Sequence, residues 1–126
     1  CKVPQDRIRW ILDDALKFVQ REARRGSYYE GIILDPPKFG RGPKGEVWEF
    51  YKSFPSLLSA CSAVLSDQAD FMLVTAYAVK ASSVTLYNAL REVTGERGGV
   101  VSVGEVCHRD QADRLLSMAV YGRWMR

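Results

Sequence analysis

The sequence predicts one α/β domain built on a doubly wound, mostly parallel sheet. Its 126 residues suit a single domain, and 47% hydrophobic residues can build a substantial core. Two apolar runs, Gly31–Leu34 and 71–77, are rich in strand-forming residues, whereas the stretches around them have the spacing of amphipathic helices. Helices and strands that alternate in this way are typical of sheets whose neighbouring strands run parallel.

Aspartate and glycine residues mark where the first predicted helix begins and ends. Residues 8–12 alternate as a short strand would, and Asp13 or Asp14 can then cap a helix. Apolar residues continue at helical spacing until Gly26, which is a natural stop because glycine tolerates the left-handed conformation at helix ends. This helix leads into the apolar strand at Gly31–Leu34.

The later segments continue the alternation. Residues 47–65 have helical spacing, with Pro55 as a kink or as the start of a second helix. The strand over 71–77 is followed by a helix that ends near Gly95. The rest of the chain comprises a predicted strand over 100–106, a turn over 110–113, and a stretch over 115–124 that allows either a helix or a strand.

Asp35 is the first candidate for chemistry, because it ends the Gly31–Leu34 strand. We expect that strand to be buried on both faces of the sheet. Pro36 and Pro37 have no backbone N–H to donate, so the strand must stop there. Ligands of open α/β sheets bind beyond the carboxyl ends of the strands, where Asp35 is expected. The alternative is that Asp35 only forms a turn, since aspartate before proline is common in turns.

Composition narrows the possible functions. The net charge of +3 permits an anionic partner without requiring one. No apolar run is long enough to cross a bilayer, and a single histidine, His108, rules out a histidine-rich metal site. The three cysteines are widely spaced and form no zinc or disulfide pattern, which indicates a reducing cytoplasm. We expect Cys61 and Cys107 to be buried packing residues.

Residues 40–45 match the pattern GxGxxG, but they do not predict a dinucleotide site. That fingerprint joins a strand directly to a helix, whereas here five residues, 35–39, separate the strand from the first glycine. We predict instead a mobile loop, in which Arg41 and Lys44 contact the phosphates of a nucleic acid.

The run Asp35-Pro36-Pro37-Lys38 resembles the fourth motif of class I S-adenosylmethionine (SAM)-dependent methyltransferases. The wider stretch over 8–42 resembles bacterial rRNA methyltransferases related to the large-subunit cytosine-C5 enzymes, and the resemblance extends more weakly to Trp124. It implies a Rossmann-like fold in which 100–106 and 115–123 form an antiparallel pair. It also implies that residues 1–126 are the second half of a catalytic domain, N-terminally truncated, with the cofactor's glycine loop upstream.

The resemblance implies SAM as the cofactor and assigns residues to it. Asp14 would accept a hydrogen bond from the adenine amino group, with Ala15 beside the ring. Asp35 would lie between the cofactor's methyl group and the target base, so that Asp35, Pro36 and Pro37 form the catalytic turn. The alternative for Asp13 and Asp14 is that one caps the helix and the other is solvated.

The same resemblance implies RNA, and ribosomal RNA in particular, as the substrate. Lys38 would then reach a phosphate, Phe39 would stack on the base and Tyr77 would line the base pocket. The alternatives are a core position for Phe39 and a solvated Lys38. The C5 enzymes place a cysteine where this chain has Ala78, so direct C5 chemistry through a thiolate is in doubt.

Three hypotheses follow from the sequence. The first is the C-terminal part of a cytoplasmic rRNA methyltransferase, inactive as a fragment and able to form a homo-oligomer. The second is a non-catalytic RNA-binding or interaction remnant of such an enzyme. The third is an unrelated α/β enzyme that uses Asp35 as a general base.

Overall fold

The computed structural model describes residues 5–42 and 45–126. The helices are α1 (Ala15–Arg25), α2 (Phe50–Ala63) and α3 (Ser83–Thr94), with short 3-10 turns at Gln5–Arg7 and Gly95–Arg97. The strands are β1 (Gly31–Leu34), β2 (Phe39–Arg41), β3 (Val47–Glu49), β4 (Phe71–Ala76), β5 (Val100–Arg109) and β6 (Leu115–Met125). None of the described helices is long and apolar enough to cross a membrane.

Four strands form the main sheet in the order β1-β4-β6-β5. β1 and β4 are parallel, whereas β6 is antiparallel to both β4 and β5. The Rossmann-like α/β fold is therefore confirmed, and so is the antiparallel pair at the end of the chain. The described sheet is mixed rather than mostly parallel, because the short turn after β5 permits only an antiparallel return.

The three helices share one hydrophobic core with the sheet. Met72, Val74 and Ala76 of β4 point into this core, together with Leu86 and Leu90 of α3. Gly122 allows the close approach of α3 to β6, since a Cβ atom there would lie 2.8 Å from a Leu90 methyl group. The prediction that β1 is buried on both faces is wrong for Ile33, which points away from this core and is 66% exposed.

Two predicted segments have a different structure. Residues 8–12 are not a strand, and Trp10 within them is 85% exposed. Alternation alone does not make a strand, because its backbone groups need a neighbouring strand to pair with. Two residues of the mobile loop predicted over 40–45, Gly40 and Arg41, belong instead to β2, which pairs in an antiparallel hairpin with β3. Its second strand takes up 47–49, so α2 begins at Phe50 and continues through Pro55.

The cysteines have different environments. Cys61 is buried in the core, as predicted, and burial raises the pKa of its thiol to about 11. The prediction for Cys107 is wrong, because this residue is exposed on β5. The outer halves of β5 and β6 extend beyond the end of β4 and pair only with each other, so no core covers Cys107.

Arg97 closes the C-terminal end of α2. Its guanidinium donates three hydrogen bonds, to the carbonyl oxygens of Ser66 (3.0 Å), Ser62 (3.1 Å) and Leu65 (3.1 Å). Carbonyl groups at the end of a helix have no partner within the helix and carry partial negative charge. The guanidinium of Arg97, in the 3-10 turn after α3, therefore links α3 to the C-terminal end of α2.

We expect Arg97→Ala to lower the free energy of unfolding by about 2 kcal/mol, because it removes charge-assisted hydrogen bonds to half-buried carbonyl groups. Urea denaturation monitored by circular dichroism measures this change. Arg91→Ala is the matched control, since Arg91 is an exposed arginine on α3. Equal losses for the two variants would contradict the role given to Arg97.

Candidate active site

The carboxyl ends of the parallel strands β1 and β4 meet at one edge of the sheet. Leu34 is paired with Val74, so Asp35 and Thr75 follow side by side. The Thr75 hydroxyl donates a hydrogen bond to Oδ1 of Asp35 at 2.5 Å. Asp35 is exposed, and this bond holds its carboxylate in one orientation at the edge. The sequence identified Asp35 but missed Thr75, although its place at the end of the neighbouring strand was a usable signal.

The Pro36-Pro37 turn is held by the hairpin that follows it. Pro36 is buried, and the carbonyl oxygen of Pro37 accepts a hydrogen bond from the Trp48 indole at 2.6 Å. The backbone N–H of Phe50 donates to the carbonyl oxygen of Lys38 at 3.0 Å. The turn is thus fixed by the proline rings, by the middle residue of β3 and by the first residue of α2. Sequence analysis missed Trp48, because its role depends on the hairpin.

The hairpin presents the predicted substrate-binding side chains to solvent. Lys38, Phe39 and Arg41 are all exposed, so Phe39 is not a core residue. The Arg41 guanidinium carbon lies 5.9 Å from the centre of the Phe39 ring, within cation–π distance. Lys44, which the sequence also assigned to substrate, lies outside the described residues.

Asp14 is the residue that caps α1. Its Oδ1 accepts a hydrogen bond from the backbone N–H of Lys17 at 2.9 Å. Asp13 is paired with Arg21 at 2.8 Å, and this hydrogen bond holds the pKa of the Asp13 carboxyl below its usual range. Of the two neighbouring carboxylates, Asp13 is therefore the one neutralised by a cation.

The first turn of α1 lies against the β2–β3 hairpin. Lys17 Nζ is 3.3 Å from Oε1 of Glu46, which precedes β3. Asp14 and the exposed Ala15 lie at the start of α1, and this ion pair links that helix to the hairpin that follows Asp35. The residues that sequence analysis assigned to cofactor therefore come from two different elements of the chain.

The segment after β4 forms the other side of this edge. Tyr77 is 48% exposed, and Ala78 has a positive φ of 55°. The backbone N–H of Lys80 donates to the Tyr51 hydroxyl at 2.5 Å, which fixes the segment to α2. Tyr51 was not identified from the sequence. Cys61 and Cys107 lie on other elements, α2 and β5, and not in this segment.

A separate cavity lies at the opposite edge of the sheet. It has a volume of about 1010 Å³ between α2 and α3, and Arg97, Trp124 and Arg126 line it. Arg126 bonds to the backbone of Asp70, directly before β4, so this cavity is at the amino end of that strand. Asp35 and Thr75 lie at the carboxyl end, and we place the site there because ligands of open α/β sheets bind beyond the carboxyl ends of the strands. Among residues 5–42 and 45–126, no group of three or more acidic, histidine or cysteine side chains could hold a metal ion.

Comparisons with known proteins agree with this architecture. No family model and no curated protein matches the chain. The chain is similar to the SAM-dependent methyltransferase from Agrobacterium tumefaciens, whose structure is 43% identical over 93% of this chain with a TM-score of 0.88. It covers 39% of that protein. The chain therefore has the fold of part of a SAM-dependent methyltransferase.

Two more distant structures share the fold alone. A candidate SAM-dependent methyltransferase from Streptococcus mutans is 15% identical over 90% of the chain, with a TM-score of 0.63, and the chain covers 30% of it. The M1.HpyAVI–SAM complex is 11% identical over 90% of the chain, with a TM-score of 0.51, and the chain covers 53% of it.

We expect Asp14→Ala to lower the free energy of unfolding by about 1 kcal/mol, because the first turn of α1 loses its capping hydrogen bond. Asp14→Ser keeps a capping oxygen, so the free energy of unfolding should fall by only a few tenths of that amount. Thermal and urea denaturation of both variants measure the difference. If both variants were as stable as the unchanged chain, the capping role of Asp14 would be wrong.

Proposed function

We propose that this chain is the part of a SAM-dependent methyltransferase that positions the target base, and that its substrate is RNA, in particular ribosomal RNA. The observation that carries the proposal is the Asp35 carboxylate, oriented by Thr75 and followed by the fixed Pro36-Pro37 turn. This carboxylate belongs to a chain that is 43% identical to a SAM-dependent methyltransferase over 93% of the chain's own length.

The side chains of Asp14, Ala15 and Asp35 suit the chemical groups of the cofactor. Asp14 is exposed, and a carboxylate has about four lone-pair positions, so the capping bond leaves it able to accept from an exocyclic amine. Ala15 is small and exposed beside it, which leaves room for a flat ring. When bound, SAM supplies an electrophilic methyl group on a sulfonium. In the proposal Asp14, Ala15 and Asp35 hold the cofactor.

The chain's contribution to methyl transfer is mainly positioning. Methyl transfer needs an in-line approach of the nucleophile, and a fixed geometry lowers the entropic part of that barrier. The Asp35 carboxylate is exposed and oriented, so it can hold an N–H of the base or accept its proton as the new bond forms. Its hydrogen bond to Thr75 keeps this carboxylate aimed while substrate enters.

The hairpin supplies the contacts to the nucleic acid in this proposal. Lys38 and Arg41 are exposed cations that suit backbone phosphates, and the exposed ring of Phe39 suits an unstacked base. Tyr77 lines the base pocket from the neighbouring strand. The methylated atom is left open, because Ala78 replaces the thiolate that C5 chemistry requires.

A non-catalytic RNA-binding role is the second candidate. It is favoured by the exposed group of Lys38, Phe39 and Arg41, and by the fact that the chain spans only 39% of the Agrobacterium protein. An unrelated enzyme that uses Asp35 as a base is disfavoured, because it leaves the 43% identity without explanation.

The first test is calorimetric titration of the chain with S-adenosylhomocysteine, after circular dichroism has shown that it is folded. We expect binding, and at least about a tenfold loss in Asp14→Ser, since that variant keeps the helix cap but loses the charged acceptor. Equal affinity for Asp14→Ser would remove Asp14 from the cofactor site. A folded chain that does not bind would contradict the proposal that these residues hold the cofactor on their own.

The second test is transfer of a tritiated methyl group from SAM to RNA by the full-length methyltransferase of which this chain is proposed to be a part. We expect Asp35→Ala to reduce the rate by at least about a hundredfold, in line with the loss of a positioned acid–base group. Asp67→Ala is the control, because Asp67 is an exposed aspartate at the opposite edge. RNA binding that weakens with salt, without any methyl transfer, would favour the non-catalytic role.

A further inference from the structure

Two loops leave the sheet at the edge where β1 and β4 end. The β1 loop comprises residues 35–38, and the β4 loop comprises residues 77–81. At this end the two strands are joined by the hydrogen bond from Thr75 to Asp35. Beyond that bond, the distance between the loops depends on the contacts that hold each of them.

The first turn of α2 holds both loops. The backbone N–H of Phe50, the first residue of α2, donates to the carbonyl oxygen of Lys38 at 3.0 Å. The hydroxyl of Tyr51, the next residue, accepts from the backbone N–H of Lys80 at 2.5 Å. Two consecutive residues of one helix therefore set where the two loops lie relative to each other.

The contact with the β1 loop also completes the start of the helix. The N–H groups in the first turn of a helix have no partner within it, and the side chain of Glu49 does not cap this one. The Lys38 carbonyl oxygen supplies a partner for Phe50, whose ring is buried and stacked on Phe54 with ring centres 4.7 Å apart. A shift of α2 would therefore move the β1 loop as well.

The contact with the β4 loop depends on a single hydroxyl group. The Tyr51 side chain is 54% exposed, and its ring lies edge-on to Phe50 with ring centres 5.6 Å apart. A phenylalanine at this position would keep the ring contact and lose only the bond to Lys80. The bond can therefore be removed without leaving a cavity in the core.

The β4 loop needs such a bond because its backbone is strained. Ala78 has a φ of 55°, in the left-handed region that residues with a Cβ atom rarely adopt. Strain of this kind persists only where surrounding contacts enforce it. The packing of Val79 against the core and the bond from Lys80 to Tyr51 provide that enforcement.

We propose that Tyr51 is a positioning residue of the methyltransferase, which acts through Lys80 to hold the β4 loop at the distance from the β1 loop that the reaction requires. The inference rests on the proposed function for the place of the reaction, and it extends that function to a helix outside the motif around Asp35. Methyl transfer needs an in-line approach, so a small displacement of one loop lowers the rate. Attaching both loops to one helix prevents that displacement.

The kinetic test uses the full-length methyltransferase of which this chain is proposed to be a part. We expect Tyr51→Phe to lower kcat by at least about tenfold, because the reacting groups are held less exactly. KM for SAM should change by less than about twofold, since Asp14 and Ala15 are not part of the β4 loop. Tyr28→Phe, at an exposed tyrosine before β1, is the matched control and should keep the original kcat. An unchanged kcat in Tyr51→Phe overturns the proposal.

A second substitution separates positioning from a general loss of stability. Glycine adopts the left-handed conformation as readily as the right-handed one, so Ala78→Gly removes the strain that the Tyr51 bond counteracts. Added to Tyr51→Phe, it should restore a large part of the lost kcat. The two single variants complete the double-mutant cycle. A double variant that is no faster than Tyr51→Phe contradicts the proposal.

The bond itself can be tested without turnover, by amide hydrogen exchange of the 126-residue chain followed by NMR. Tyr51→Phe should speed exchange of the Lys80 amide by up to about tenfold, the value of one hydrogen bond, and leave the Phe50 amide unchanged. Unchanged exchange at Lys80 overturns the proposal.

The two proposals can fail separately. Faster exchange at Lys80 in a variant whose full-length form keeps its kcat would overturn the positioning role of Tyr51 alone. Faster exchange at Lys80, combined with no methyl transfer by the unchanged full-length protein, would contradict the proposed function and with it the positioning role.

Discussion

The parallel pairing of β1 with β4 is the constraint on which the rest of the structure depends. Because the two strands run in the same direction and in register, Asp35 and Thr75 arrive at one edge together and form a hydrogen bond. The Pro36-Pro37 turn can then leave the sheet in only one direction, and the β2–β3 hairpin folds back onto it through Trp48. A shift of this register by one residue would separate the carboxylate from the hydroxyl and turn the apolar residues of β1 to the wrong face.

Much of the fold could be predicted from residues that end or interrupt the chain's regular elements. Gly26 ends α1 in the left-handed conformation, with a φ of 67°, and Pro36 follows directly on the end of β1 and Asp35. Residues 8–12 show where this reasoning fails. Their alternation indicates an amphipathic segment, but a strand forms only when a neighbour offers backbone partners, and such a neighbour is not visible in local sequence. The exposed Cys107 was misjudged for a related reason, since burial depends on which element lies opposite.

The candidate site was predictable only in part. Some of its residues can be recognised from their neighbours in sequence, whereas others act through contacts with residues far away in the chain. Asp35 is recognisable from its own neighbours, a strand on one side and prolines on the other. Thr75 bonds to a residue 40 positions away, and Tyr51 to one 29 positions away. Contacts of that range are properties of the assembled sheet.

The strand order also sets a condition on folding. β6 lies between β4 and β5, so β4 has no neighbour on that side until the later strand arrives. During synthesis, β1, β4, α1 and α2 emerge before β6, and the buried positions of β4 must wait for Trp124 and Gly122 to complete the core around them. Pairings between distant parts of a chain are slow to form and leave apolar surface open in the meantime. A ribosome that pauses before β6 is complete would therefore hold a chain whose sheet is unfinished and whose β4 strand has an unpaired edge.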